Sequence, residues 1–234
     1  MTAISAGGII AAGRGSRLKG LGVPKPMVEV AGVPLIEHVL SNFQAAGVVS
    51  AAVIFNSSEE GCAAYVQDRF GEFVSKVVVK TTRSSLESFR EILGAAPQGR
   101  LLVSTVDSFC PREDFLRFVR LAEKASSDAT VLAVTGFVDD EKPLWVTTTR
   151  KGRITVVGGA SGDAVTAGIY VVPERVRRMR IPSSLPRLRD FLAWLCKSGE
   201  PMQAVEIGKV VDVDRAEDLE AAEELARAAA GRAR

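Results

Sequence analysis

The chain has little of what metal cages and covalent cross-links require. Its 234 residues include one histidine and three cysteines. Cys62, Cys110 and Cys196 lie far apart and form no CxxC pair, which excludes a zinc site of the common four-ligand kind. Odd in number and scattered, they read as reduced thiols of a cytoplasmic protein, with Cys110 as a small buried hydrophobe. No stretch approaches the roughly 20 apolar residues of a membrane span. The N-terminus has no basic region ahead of an apolar core, and Gly7 and Gly8 interrupt it early, so no signal peptide is expected. A charge excess is missing too. A net charge of +2 and a pI near 8.5 leave no nucleic-acid surface. The run Arg175, Arg177, Arg178 and Arg180 is the local exception, and it reads as a solvated helix face or turn.

What is present is ordinary globular material: 47% hydrophobic and 25% charged residues, enough to bury a self-sufficient core. Strand-like and helix-like segments alternate. Gly8 to Ala12 suits a short buried strand. Pro34 then opens a helix with Leu35, Ile36, Val39, Leu40 and Phe43 at helical spacing, ended by Gly47. Further strands are expected at 51–55, 74–79, 101–106 and 129–137. The intervening helices are capped by Ser58, by Ser84 or Ser85, or opened by Pro111. From Leu144 onward the rhythm changes to strands without helices between them, with Lys151-Gly152 as a hairpin turn. A helix over 185–197, a strand at 203–206 and an alanine-rich helix from Ala216 follow, with a frayed tail from Gly231. Repeated βαβ units imply a parallel sheet with right-handed crossovers, and the later strands make it mixed. The expected fold is Rossmann-like, three-layer α/β/α with a mostly parallel mixed sheet. With no linker composition and no repeat, residues 1–234 read as one domain.

The strongest local signal is Ala11-Ala12-Gly13-Arg14-Gly15-Ser16-Arg17-Leu18, followed by Pro24-Lys25-Pro26. It comes directly after the first strand, where open α/β sheets bind ligands. Glycines let backbone approach a ligand, and successive N–H groups form an anion-binding concavity. Arg17 can fork onto phosphate oxygens, and Lys25 adds a compact positive charge. The loop lacks the third glycine of the dinucleotide fingerprint and the GK[ST] of a P-loop.

Two further acidic positions stand at comparable places. Asp107 ends the fourth strand, where it could hold a hard cation beside phosphates or cap the next helix. Val211-Asp212-Val213-Asp214 puts two carboxylates on one side of an extended segment, although Asp214 could instead cap the last helix.

The run from Ala12 to Leu18, then Pro24-Lys25-Pro26 and Val33-Pro34-Leu35-Ile36-Glu37-His38, resembles the signature of the nucleotidyltransferase superfamily. That superfamily includes sugar-phosphate nucleotidylyltransferases, cytidylyltransferases and the molybdenum-cofactor guanylyltransferase. The resemblance implies an enzyme that moves a nucleoside monophosphate from a triphosphate onto a phosphorylated sugar or alcohol, releasing pyrophosphate. It implies catalytic roles for Lys25 and Arg17, and nucleotide contacts from Ala11, Ala12, Gly13, Arg14, Gly15 and Ser16. It puts base or ribose beside Ser84 or Ser85, where helix capping is the competing reading. Mg²⁺ is expected on Asp107 with Asp214 or Asp212; motif alignment leans to Asp214, and the residues themselves do not choose.

Thr166-Ala167-Gly168-Ile169-Tyr170 is similar to the strand beside the acceptor in such enzymes, with Gly168 giving the acceptor room. An ordinary strand with Tyr170 packed is the other reading. The acceptor-phosphate lysine has no clear match; Lys142, Lys151 and Lys209 are the candidates. His38 and Asn56 read as structural and turn residues. The expected partners are a nucleoside triphosphate and a phosphorylated small-molecule acceptor, with no nucleic acid and no membrane, in a monomer or homodimer. The alternatives are a pterin-cofactor guanylyltransferase and a catalytically silent nucleotide-binding homologue. An ordinary dehydrogenase fits poorly, because Asn56-Ser57-Ser58 stands where an acidic residue would be needed.

Overall fold

The computed structural model describes residues 3–13, 15, 18, 20, 22–138 and 142–232. The apolar runs that begin the chain become strands, and the central ones are buried on both faces. β1 (Ala6–Ala11) is flanked by β4 (Ser50–Phe55) and β6 (Leu101–Thr105), both parallel to it, and β5 (Val74–Val79) continues the sheet beyond β4. Within each strand alternate residues enter opposite cores. Ile9, Ala11, Val53 and Phe55 face one, while Ile10, Ala12, Ile54 and Val103 face the other. This two-fold alternation in fully apolar strands is what makes three layers.

Helices cover both faces. α1 (Leu35–Ala45), α2 (Glu60–Phe70) and α4 (Arg112–Lys124) share the first core. α3 (Ser85–Ala95) and α6 (Leu188–Lys197) share the second. Gly7 and Gly8 let them close down on β1. A Cβ on Gly7 would lie 2.5 Å from the Phe43 ring of α1, and one on Gly8 2.3 Å from Ile92 of α3.

The remaining strands are as predicted in kind, and antiparallel pairs make the sheet mixed. β11 (Ala164–Val172) runs antiparallel to β6 on one side and to β8 (Thr130–Thr135) on the other. β9 (Trp145–Thr148) and β10 (Ile154–Val157) form a hairpin, and β12 (Met202–Glu206) pairs with β8. Among the described residues the result is one nine-stranded sheet. Small two-residue pairings were not predicted: β2 (Glu29–Val30) with β3 (Val33–Pro34), and β7 (Ser108–Phe109) with β13 (Val211–Asp212). They are too short to carry a periodicity. Among the described residues no helix is long and apolar enough to cross a membrane.

Three local expectations are corrected. Ser58 does not cap α2; its N–H and hydroxyl donate to Asn56 Oδ1, and Glu59 occupies the cap position without a side-chain bond. The last helix, α7 (Ala216–Arg232), continues through Gly231 to Arg232. Most informative is the basic run. Arg177 lies at the end of the short α5 (Glu174–Arg177) with its side chain only 6% exposed. Its guanidinium donates to the carbonyls of Leu93, Ala96, Pro97 and Gly99, and so caps the carboxyl end of α3. Arg175 and Arg178 are the solvated members, paired with Glu200 and Glu174.

Arg177→Met is therefore expected to lower unfolding stability by about 2–4 kcal/mol, because it strands buried carbonyls. Arg178→Ala should stay within about 0.5 kcal/mol of the parent. Urea unfolding of the two variants checks the difference.

Candidate active site

A crevice opens at the carboxyl ends of the parallel strands. Lys25 sits on a single 3-10 turn (Lys25–Met27) that Pro24 and Pro26 favour by fixing φ. The lysine is 5% exposed, and its Nζ donates to Asp107 Oδ2 at 2.7 Å and to Asp214 Oδ1. Burial would push this ammonium down, but Asp107, Asp212 and Asp214 outweigh it and hold the group above the ordinary lysine range. Asp107 is subject to the same contest. Burial pushes its carboxyl up, while Lys25 and a hydrogen bond from Thr105 bring it below the usual range. Both groups are charged at neutral pH.

Gly15 makes room for this lysine. Its φ of +52° is one that side chains rarely adopt, and a Cβ there would come within 2.9 Å of Lys25 Cβ. Gly13 is exposed with open space about it. Ala11 and Ala12 are buried beneath the loop, and the Ala12 carbonyl accepts from Asn56 Nδ2 at 3.4 Å. Arg14, Ser16 and Arg17 lie outside the described residues.

Asp107 follows β6 and caps no helix: α4 has Pro111 at its cap position without a side-chain bond. At the start of α7, Asp218 Oδ2 reaches back to the N–H groups of Asp214 and Arg215, while the Asp214 carboxylate pairs with Lys25. Asp212, on β13, lines the same cavity.

That cavity holds about 320 Å³ and is bounded by the ends of β6, β8 and β11, the start of α6 and the β13–α7 turn. Ser85, Asp107, Gly168, Asp212 and Asp214 all border it. Ser84 serves the helix: its hydroxyl accepts from Glu87 N–H at 3.3 Å. Ser85 Oγ accepts from Leu188 N–H at 3.1 Å and ties α3 to α6. Gly168 has φ +72° at a register shift in β11, and a Cβ would lie 1.9 Å from Ser108 Oγ and 2.7 Å from Thr105 Oγ1. The space it leaves is thus filled by the Thr105–Ser108 hydroxyl pair beside Asp107. Tyr170 is packed, its phenol pushed up by burial.

Residues 7–181 match the model of the MobA-like NTP transferase domain, which covers most of the chain. The chain belongs to that family. It is a nucleotidyltransferase by membership. This transferase is also similar in fold to the inositol-1-phosphate CTP transferase from T. maritima, at 20% identity, TM-score 0.80 and 96% coverage of each chain. A candidate glucose-1-phosphate thymidylyltransferase from Bacillus anthracis, solved in complex with a sucrose, matches at 20% identity, TM-score 0.76 and 94% coverage of each. UDP-glucose pyrophosphorylase, solved with UDP-glucose, matches at 15% identity and TM-score 0.76, over 97% of this chain and 99% of the other. No curated protein matches this one.

Sequence reasoning missed several residues of the transferase crevice. Arg187 and Arg189, at the start of α6, stand on the cavity wall; Arg187 pairs with Asp190 and Arg189 donates to the Lys142 carbonyl. Thr105, Ser108 and Asp218 position the aspartates. Only the polar cluster Thr105-x-Asp107-Ser108 gave a signal, since arginines before a helix look like surface. Of the three candidate lysines none lines the cavity; Lys209 Nζ lies 4.0 Å over the Phe137 ring, and Phe137 does line it. His38 is structural: its Nε2 donates to the Val30 carbonyl at 2.8 Å, and its ring meets Phe109 edge-on.

Gly168→Ala is expected to lower stability by about 2–4 kcal/mol, from a strained φ plus overpacking. Ser108→Gly in the same chain should recover part of that loss by removing the clash. Denaturation midpoints of the single and double variants measure both effects.

Proposed function

We propose that this transferase, a single NTP-transferase domain, moves a nucleoside monophosphate from a triphosphate onto a phosphorylated sugar or alcohol and releases pyrophosphate. The observation that carries the reading is the Lys25 ammonium held between Asp107 and Asp214 at the carboxyl ends of the parallel strands. A pure binding module has no use for a buried lysine poised against two carboxylates at a phosphate loop.

In the proposed step an oxygen of the acceptor phosphate attacks the α-phosphorus in line. The new P–O bond forms as the bond to the β-phosphate oxygen breaks, and pyrophosphate departs. The acceptor phosphate is already ionised, so the step needs no general base. Lys25 offers its charge to the phosphate oxygens, and Arg17 is assigned the same task. Gly13 and Gly15 open the loop backbone to the nucleotide. Arg187 and Arg189 supply positive charge on the acceptor side, where no candidate lysine stands.

Mg²⁺ fits the donor set. Among the described residues no cage of three or more His, Cys, Asp or Glu side chains exists, and Mg²⁺ does not require one. Asp107 and Asp214 flank the Lys25 ammonium and Asp212 adds a third carboxylate to the crevice, an oxygen-donor set on which Mg²⁺ could bridge to a triphosphate. Asp107 with Asp214 is the proposed pair, and Asp212 is the neighbour within reach of the same crevice. When bound, the ion would offset phosphate charge and orient the attack.

A guanylyltransferase for a pterin cofactor is the second reading, favoured by the family matched over residues 7–181. Thermal shift with CTP, GTP, UTP, ATP and dTTP, each with and without Mg²⁺, separates the readings. A ligand that binds the folded state raises its apparent stability. One Mg²⁺-dependent triphosphate should stand out; GTP alone supports the pterin reading, and no shift at millimolar concentration argues for a silent homologue. Lys25→Ala and Asp107→Ala should each lower kcat by about 10²- to 10³-fold or more with far-UV circular dichroism unchanged. Near-parental turnover in either variant removes that residue from the mechanism.

A further inference from the structure

Two demands meet on the single charge of Lys25. Its Nζ donates to Asp107 Oδ2 at 2.7 Å and to Asp214 Oδ1, so the two carboxylates converge on one point and the ammonium stands there. A Mg²⁺ ion bridging the same pair takes its oxygens at about 2.1 Å, which brings it onto that point. A dication and an ammonium side by side on one carboxylate pair repel each other at close range. One of the two must yield.

The lysine is built to yield at its head and not at its base. Pro24 and Pro26 fix the turn that carries it. Its Cβ lies against Gly15, where an added Cβ would come within 2.9 Å. The phosphate loop thus packs on the foot of the side chain, and the four-carbon stem beyond is flexible. From one root the ammonium can serve either the carboxylates or phosphates seated on the loop. The residue is only 5% exposed. Taking the carboxylates away without supplying another anion strands a buried charge, which is costly.

We infer that Lys25 is an internal counter-ion: it holds the Asp107–Asp214 pair against a free divalent cation and releases it when a triphosphate arrives to receive the ammonium. This rests on the nucleotidyl-transfer reading above and adds an order of binding to it. Free Mg²⁺ offers the carboxylates a cation but offers Lys25 no anion, so it is turned away. A metal–triphosphate complex offers both. The pair therefore selects metal that comes with its nucleotide.

The test uses the full chain with Mn²⁺ in place of Mg²⁺, because free Mn²⁺ is counted by its electron paramagnetic resonance signal. The second ligand is a non-reacting α,β-methylene analogue of whichever triphosphate gives the largest thermal shift. Metal held by the analogue in protein-free solution is subtracted. The parent should bind Mn²⁺ alone at least about tenfold more weakly than beside the analogue. Lys25→Met and Lys25→Gln should each bind Mn²⁺ without nucleotide about tenfold more tightly than the parent. Mn²⁺ alone should raise the melting temperature of these variants and leave that of the parent in place. Asp107→Asn added to Lys25→Met should erase the gain, which locates it at the pair. Far-UV circular dichroism checks each variant, and if neither lysine variant folds, the two affinities of the parent decide. A parent that binds Mn²⁺ alone as tightly as beside the analogue, through Asp212 or otherwise, overturns the inference. Folded lysine variants with no gain do the same. Pyrophosphate release by the parent is read separately. Release without any gain in the variants would overturn the counter-ion role and leave nucleotidyl transfer standing. A gain without release from any acceptor would uphold the counter-ion role and count against the chemistry.

Discussion

The ion pairs of Lys25 bind the site together. They join a turn near the start of the chain to the end of β6 and to the segment after β13, positions separated by 82 and 189 residues. Each partner is set by a different local device: two prolines and Gly15 for the lysine, Thr105 for Asp107, Asp218 for the backbone under Asp214. A buried ammonium left alone would cost several kcal/mol, so the two carboxylates are a condition of its burial. Replacing this cluster by apolar residues could cost nothing in stability, which is why its presence speaks for chemistry rather than for folding.

The sheet was legible because its strands are apolar runs between glycines and prolines, and tertiary packing agrees with that pattern. α1 was read from Leu35, Ile36, Val39, Leu40 and Phe43, all of which are buried. What could not be read depended on contacts between distant segments. Arg177 has the sequence context of a surface residue, and only the fold brings four carbonyls of the α3 end to it. Ser58 has the chemistry of a cap, but Asn56 offers its hydroxyl a nearer acceptor.

The crevice was legible to the same degree. Lys25, Asp107 and the 212–214 pair were visible as motif residues at strand ends, and the structure brings them to one place. The choice between Asp212 and Asp214 as Mg²⁺ ligand was open, because both stand on one extended segment; Asp214 pairs directly with Lys25, and both line the same cavity. Gly168 was expected to give the acceptor room, but the space its missing Cβ leaves is taken by the Ser108 and Thr105 hydroxyls, a contact between distant segments that the strand pattern does not reveal. Arg187 and Arg189 carry no motif, and their place on the wall follows from the Ser85–Leu188 tie between two helices.

The position of β11 has a consequence for how the protein is made. The strand lies between β6 and β8, both of which precede it in the chain. On a ribosome, β1, β4, β5 and β6 can assemble as a parallel sheet while residues 164–172 are still unsynthesised. Through that interval β6 presents an unpaired apolar edge, the kind of surface that recruits other strands. The sheet closes only when β11 arrives, and the partner of Lys25 at position 214 comes later still. Synthesis therefore passes through a stage in which the fold is half built and the crevice lacks its last carboxylate, a window in which chaperones have an exposed edge to shield.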